Sequence, residues 1–315
     1  MKLLADIASI VIPVFSVFFL GAALKRLQWI DHHFIAQSNR LVFNICLPLL
    51  LFYKIGASNF FAHFNYLLIA GCYAAIVATF GAAYLFAALR GYQPSVRGAF
   101  CQGSFRCNLA IIGLAVVYNA YSDEGLTRAS LLMGFIVPWL NLLAVLALLL
   151  PHHKGRAMGL SFWLRQVLLN PLIIATIAGI AWSVAGFSMP AVMNNSLKII
   201  TQMTLPLALL TIGAGFTLQR LHGDLRRAGL AVGFKIIFMP VLTAILLWLF
   251  GVGGMDFAVG VLMIGSPTAA ISYIMASQMK GDAELAASII ILSTFISMLS
   301  YTLMLLALNL FIIPV

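Results

Sequence analysis

Apolar stretches of about 20 residues recur along the whole chain with few polar residues between them, and this spacing leaves little choice of fold. A run of that length matches the ~30 Å hydrocarbon core of a bilayer at about 1.5 Å of helical rise per residue. Ten such spans can be read, at about 6–24, 34–55, 65–89, 95–119, 125–150, 169–186, 190–217, 228–250, 257–279 and 284–313. Of 315 residues, 63% are hydrophobic and 8% charged, with a mean hydropathy of +1.07, more apolar surface than a soluble core of this size can cover. The expected class is therefore an all-α polytopic membrane protein. The run after Lys2 reads as a retained first span rather than a signal peptide, because Lys25 and Arg26 close it.

A net charge of +10 would suggest a nucleic-acid partner in a soluble protein, but its distribution here is a topology signal and no nucleic acid is implied. Loops after odd-numbered spans carry Lys25, Arg26, Arg90, Arg97, Lys154, Arg156, Arg165, Arg220, Arg226, Arg227 and Lys280, whereas the N-terminus and the other loops carry only Lys2, Lys54 and Arg128. The positive-inside rule then puts the odd loops in the cytoplasm and both termini outside. Between 151 and 168 the basic connection with its Phe162-Trp163-Leu164-Arg165 segment is expected at the cytoplasmic interface. Cys46, Cys72, Cys101 and Cys107 all fall in spans and read as small core residues. The histidines pair as His32-His33 and His152-His153, without the i,i+4 spacing of a helical metal site, so neither metal nor cofactor is implied.

The four remaining basic residues, Arg40, Arg106, Lys198 and Lys235, lie within spans, while none of the eight acidic residues sits near mid-membrane. Buried charge of one sign needs a counter-ion, and a bound anion would supply it. Arg40 and Lys198 are only a turn or two inside their spans and can snorkel, and Lys235 is deeper with nothing else to mark it. Arg106 lies nine residues past Arg97, about 13 Å along a helix, too deep to snorkel easily. It stands two residues before Asn108, and Gly103 and Gly113 bracket the pair, where glycine lets a membrane helix break or a partner approach closely.

The chain also repeats itself. Adding 158 carries Pro13 to Pro171, Gly21 to Gly179, Ser38 to Ser196, Arg40 to Lys198, Asn44 to Gln202, Leu47 to Leu205 and Pro48 to Pro206. Each half, 1–157 and 158–315, then holds five spans, and an odd number turns the second half upside down. The expectation is ten transmembrane helices as two inverted five-helix repeats, an arrangement typical of secondary transporters with substrate near the midplane. Pro48 and Pro206 would kink the scaffold spans, and Asn44 and Gln202 could satisfy carbonyls those kinks free. At an offset of 162, Gly98 and Gly103-Ser104 of the fourth span match Gly260 and Gly265-Ser266 of the ninth. There Pro267 breaks the helix, and Ser266, Thr268 and Ser272 offer small polar groups opposite Arg106 and Asn108. Pro138 and Asn141 are expected to interrupt the fifth span, and Ser293, Ser297 and Ser300 to form a close-packing stripe on the tenth.

Asn44-x-x-Leu47-Pro48, Arg106-Cys107-Asn108 with Gly113, Asn170-Pro171 and Gly265-Ser266-Pro267-Thr268, in this order and spacing, resemble the auxin efflux carrier family, which includes bacterial malate and malonate permeases. The resemblance runs essentially end to end. It implies a ten-helix carrier of organic anions with broken, crossing fourth and ninth helices, a scaffold (1–60 plus 160–222) and a mobile transport unit (61–158 plus 223–315). The expected substrate is a small mono- or dicarboxylate, held by Arg106, Asn108, Asn44, Gln202, Ser266, Thr268 and Ser272. Coupling to H+ or Na+ stays open, and a scaffold-mediated homodimer is allowed. Two departures stand out: the fourth helix has no proline at its break, and the long cytoplasmic loop of many plant carriers is missing. A channel or transporter-like sensor is the main alternative. An intramembrane enzyme would need a nucleophile–base pair or metal ligands at membrane depth, and the spans offer none.

Overall fold

The computed structural model describes residues 2–152, 169–215 and 224–311. The Phe162–Arg165 segment expected at the interface lies outside them. The described residues are helical nearly throughout. In chain order the helices are α1 (Lys2–Arg26), α2 (His32–Leu41), α3 (Leu47–Gly56), α4 (Phe60–His63), α5 (Tyr66–Leu89), α6 (Pro94–Phe105) and α7 (Leu114–Leu149). After the undescribed connection come α8 (Pro171–Val184), α9 (Ala191–Gln202), α10 (Thr204–Gly215), α11 (Leu225–Gly233), α12 (Met239–Leu249), α13 (Gly254–Ile264), α14 (Ile271–Gln278) and α15 (Ala283–Phe311). Seven helical stretches are long and apolar enough to cross a bilayer, and α8 and α13 are shorter apolar helices. The protein is a polytopic, all-helical membrane protein.

Local chemistry explains where helices begin and where they widen. Asp31, Asn65, Asn170 and Asp224 each accept a backbone N–H of the following turn, as N-caps should. The Phe34 amide so bound holds the Asp31 carboxyl below its ordinary range. Two π turns, Val42–Cys46 and Phe234–Phe238, run directly into α3 and α12, whose second residues are Pro48 and Pro240. A proline has no N–H and crowds the carbonyl four residues earlier, and one widened turn lets the chain pass without unwinding. Asn44 sits in the first of these turns, exposed, and its Nδ2 donates to the Arg40 carbonyl at 2.9 Å. Pro206 lies in the first turn of α10, just after the interruption at Met203.

One expectation needs correcting. Neither Pro138 nor Asn141 interrupts its span: α7 runs through both, and its only non-helical residue is Ser122 (φ 52°, ψ −146°). A membrane helix tolerates an internal proline when neighbouring groups satisfy the freed carbonyl. The backbone kinks instead at Ser122, just before Asp123 and Glu124.

Close backbone approach sets the packing of two helix pairs. On α1 against α10, a Cβ added to Gly21 would stand 2.0 Å from the Leu210 carbonyl oxygen, and one on Gly213 would stand 1.8 Å from that of Phe18. On α3 against α8, a Cβ on Gly179 would lie 3.2 Å from the Phe52 carbonyl oxygen. Lipid tails are as apolar as the helix surfaces, so such van der Waals contact, not hydrophobic burial, holds membrane helices together. Between these pairs, Thr204 Oγ1 donates to the Cys46 carbonyl at 3.4 Å. All four cysteines are free and buried.

Charges collect at the helix ends. Lys54 pairs with Asp123 at 2.5 Å, and Arg128 bridges Glu124 (3.0 Å) and Asp256 (2.6 Å), which also accepts from Asn65 Nδ2 (2.8 Å). Asn65 caps one end of α5, and Arg90 closes the other after 24 residues, about 36 Å away. The ion-pair cluster and the arginines near Arg90 therefore occupy opposite ends of the molecule.

Candidate functional site

Two interrupted helices meet in the interior. The α6 helix stops at Phe105, Arg106 is extended (φ −74°, ψ 112°), Asn108 takes φ −87° and ψ 61°, and helical structure resumes as a π turn over Leu109–Gly113. Opposite, α13 stops at Ile264 and α14 starts at Ile271. Cys107 and Thr268 form an antiparallel bridge, with the Asn108 N–H donating to the Pro267 carbonyl (2.8 Å) and the Ala269 N–H to that of Arg106 (3.2 Å). Each break thus supplies a main-chain partner that the other lacks. Thr268 adds two bonds, its Oγ1 donating to the Gly103 carbonyl (2.8 Å) and its N–H to Ser293 Oγ (3.1 Å). Ser293 of the serine stripe on α15 thus holds the broken segment, while Ser297 and Ser300 bond within α15.

The bracketing glycines serve close approach. Gly103 is still helical, and a Cβ there would fall 2.7 Å from Ile289 Cδ1 on α15. Gly113 closes the π turn by donating to the Asn108 carbonyl (3.0 Å), with Met263 Sδ 3.1 Å from where its Cβ would be. The fourth helix breaks fully without a proline, because the facing strand-like segment takes its free amide.

Two cations are buried at this crossing. Lys235, fully buried on the second proline-linked π turn, donates from Nζ to the Ile264 carbonyl at 2.8 Å. Cys107 Sγ donates to the same oxygen at 3.3 Å. Ile264 ends α13, so the ammonium sits at the negative end of that helix dipole. The sequence put Lys235 deep in a span but gave no sign of this partner, which arrives from another helix. The Arg106 guanidinium points to α7, donating to the Leu140 carbonyl (3.3 Å) and Asn141 Oδ1 (2.7 Å). Among the described residues, neither cation meets a carboxylate within salt-bridge distance. Ser266 Oγ and Ser272 Oγ are buried without a hydrogen-bond partner there, and Asn108 is buried as well.

A cavity of about 280 Å³ opens between α1, α3, α9, α10 and the first half of α7. Its polar groups include the Lys54–Asp123 pair, Lys198, Asn119 and the predicted Gln202, and Pro206 forms part of its wall. Ala115, six residues past the start of the π turn at Leu109, links this wall to the crossing. Asn119 and Lys54 were not singled out in the sequence, because nothing in their own spans shows what faces them. Asn44 does not line this cavity. Among the described residues, no group of three or more His, Cys, Asp or Glu side chains could hold a metal ion.

Comparison with known proteins agrees with this architecture. Residues 6–305 match the family model described as "Membrane transport protein". An "Uncharacterized transporter" of Methanothermobacter thermautotrophicus is 24% identical over 292 residues, 92% of this chain and 94% of that protein. A "Putative malonate transporter" of Rhizobium meliloti is 23% identical over 312 residues, 95% of each chain. With its end-to-end match and the motifs noted above, the chain belongs to this membrane transport family, that of the auxin efflux carriers.

Proposed function

We propose that this protein is a secondary carrier of small mono- or dicarboxylates, such as malate or malonate, working by alternating access at the crossing of the two interrupted helices. The observation that carries the proposal is the crossing itself. It joins two broken helices through main-chain bonds, buries two cations without a carboxylate beside them, buries the Asn108 carboxamide, and leaves two hydroxyls unbonded. The first amides of the segment starting at Leu109 have no acceptor within their own helix, and in α14 Ser272 and Tyr273 donate to Ala269 and Ala270. Both segments present helix N-termini, which favour negative charge. In this reading Asn108 donates to a substrate carboxylate beside those amides, Ser266 and Ser272 complete the polar surface, and Thr268 holds the break in shape. Arg106 and Lys235 act through their charge, each tied to protein carbonyls. Gln202, with Lys198, lines the approach through the cavity. The malonate in a relative's name fits a ligand of this size and sign.

The ten-span, inverted-repeat architecture belongs to the same proposal. The approach of Gly21 to Leu210 becomes that of Gly179 to Phe52 when 158 is added to one partner and subtracted from the other. Cys46 and Thr204, hydrogen-bonded to each other, are themselves 158 apart, as expected of residues beside a twofold axis. Dividing α7 at Ser122 and counting each interrupted helix once gives ten passes, with the basic loops cytoplasmic and both termini outside, in a bacterial inner membrane. The helices of 1–60 and 160–222 then form the scaffold, and 61–158 with 223–315 the moving unit.

The test is uptake and counterflow in proteoliposomes across a panel of mono- and dicarboxylates, with Asn108→Ala alongside. Saturable counterflow, with KM raised at least tenfold in Asn108→Ala and thermal stability kept, is the expected result. Flux that never saturates would make the protein a channel, and an unchanged KM would remove Asn108 from the site.

A further inference from the structure

A second site lies at the opposite end of α5 from the ion-pair cluster, away from the crossing. A cavity of about 450 Å³ opens there between the end of α5 and the start of α11, and three arginines line it: Arg90, Arg226 and Arg227. One carboxylate, Asp224, faces them and is already engaged. It caps α11 by accepting from the Arg227 N–H at 3.0 Å, and it pairs with Arg227 Nε at 3.1 Å. The Arg227 guanidinium also lies over the ring of Tyr92, 4.9 Å from its centroid, which fixes its direction. Arg90 rests against the Phe86 ring at 6.0 Å, and Arg226 has no hydrogen-bond or ion-pair partner among the described residues. Three guanidinium groups against one satisfied carboxylate leave an uncompensated charge of +2 around a concave space.

Guanidinium forks match the paired oxygens of phosphate. Apolar side chains flank this largely polar cavity. Leu89 in its wall is 79% exposed, and Leu230 in the wall and Leu225 beside it are 37% and 50% exposed. A phospholipid seated there brings its phosphate to the arginines and its acyl chains to these leucines in one molecule, which a free inorganic anion does not. We propose that this pocket is a binding site for the phosphate headgroup of an anionic membrane phospholipid, with the acyl chains laid over Leu89, Leu225 and Leu230. Basic pockets between transmembrane helices on the cytoplasmic side suit such headgroups. The occupant would clamp α5 to α11, and α11 runs directly into the turn that bears Lys235.

The purified protein in a neutral detergent is titrated with short-chain phosphatidylglycerol, short-chain phosphatidylcholine and inorganic phosphate in separate arms, while the thermal unfolding midpoint is followed. Phosphatidylglycerol alone should raise the midpoint saturably. The double variant Arg90→Gln/Arg226→Gln, which touches neither the crossing nor the first cavity, should need at least tenfold more of it. Equal shifts from both lipids, or an equal shift from inorganic phosphate, would overturn the lipid assignment within the wild-type protein alone. An unaltered response in the variant would overturn the pocket. Should the double variant prove too unstable to titrate, Arg226→Lys keeps the charge and loses the fork, and a wild-type response there likewise overturns the proposal.

Discussion

Replacing Lys235 by methionine separates a structural cation from a functional one. Methionine keeps most of the length and the apolar stem and removes the ammonium and its bond to the Ile264 carbonyl. A hydrogen bond from a charged donor is worth about 1.5–3 kcal/mol, but burying the charge costs a similar amount, and Cys107 Sγ remains to serve the carbonyl. The two terms nearly cancel, so the unfolding midpoint should move by only a few degrees in either direction. Transport should respond otherwise. A carboxylate held about 6 Å from the ammonium, at an effective dielectric near 20, gains about 2.8 kcal/mol, roughly a hundredfold in affinity. Initial uptake rates of labelled malonate in proteoliposomes should therefore show a KM raised by one to two orders of magnitude in Lys235→Met. The substitution acts on charge, so the effect should shrink for an uncharged amide analogue of the substrate. A variant as stable as the wild type with an unchanged KM would refute the electrostatic argument and leave Lys235 as a helix cap only.

The remaining predictions concern the frame around the site. Gly213→Ala would put a Cβ 1.8 Å from the Phe18 carbonyl, and separating α1 from α10 to relieve it should cost at least about 1–3 kcal/mol, whereas Gly215→Ala, with nothing within 4 Å, should be silent in the same thermal unfolding assay. Thr268→Val keeps the shape and removes the Oγ1 bond to the Gly103 carbonyl, so it should cost about 1–3 kcal/mol and lower transport, and wild-type uptake at wild-type stability would show that the crossing does not depend on that bond.

Much of this fold was legible because a bilayer imposes rules that residues obey locally. Apolar runs of span length depend only on consecutive residues, and the long apolar helices fall on them. The break in the ninth helix was legible for the same reason, since Pro267 carries its cause within itself. The fourth-helix break was harder to place. Its cause lies in residues 267–269, about 160 positions away, whose carbonyl and amide replace the helical partners of Asn108 and Arg106. Pro138 shows the converse: a strong local breaker absorbed by its surroundings.

The direction of a long side chain is the least local property of all, and the two buried cations differ in just this respect. Sequence depth marked Arg106 as the stronger candidate because it stands beside Asn108, yet its guanidinium spans to α7 and bonds Leu140 and Asn141. Lys235, unremarkable in its own span, reaches the end of α13 instead. Both cations finish at carbonyl groups, and Lys235 finishes at a half-helix C-terminus, where the dipole is negative. The matching N-termini, at Leu109 and Ile271, keep their positive ends unopposed by any nearby carboxylate among the described residues. The proposed preference for anions therefore rests on a negative helix end neutralised by its own ammonium and on helix N-termini without a carboxylate, and not on the direction of the side chain first singled out for that purpose.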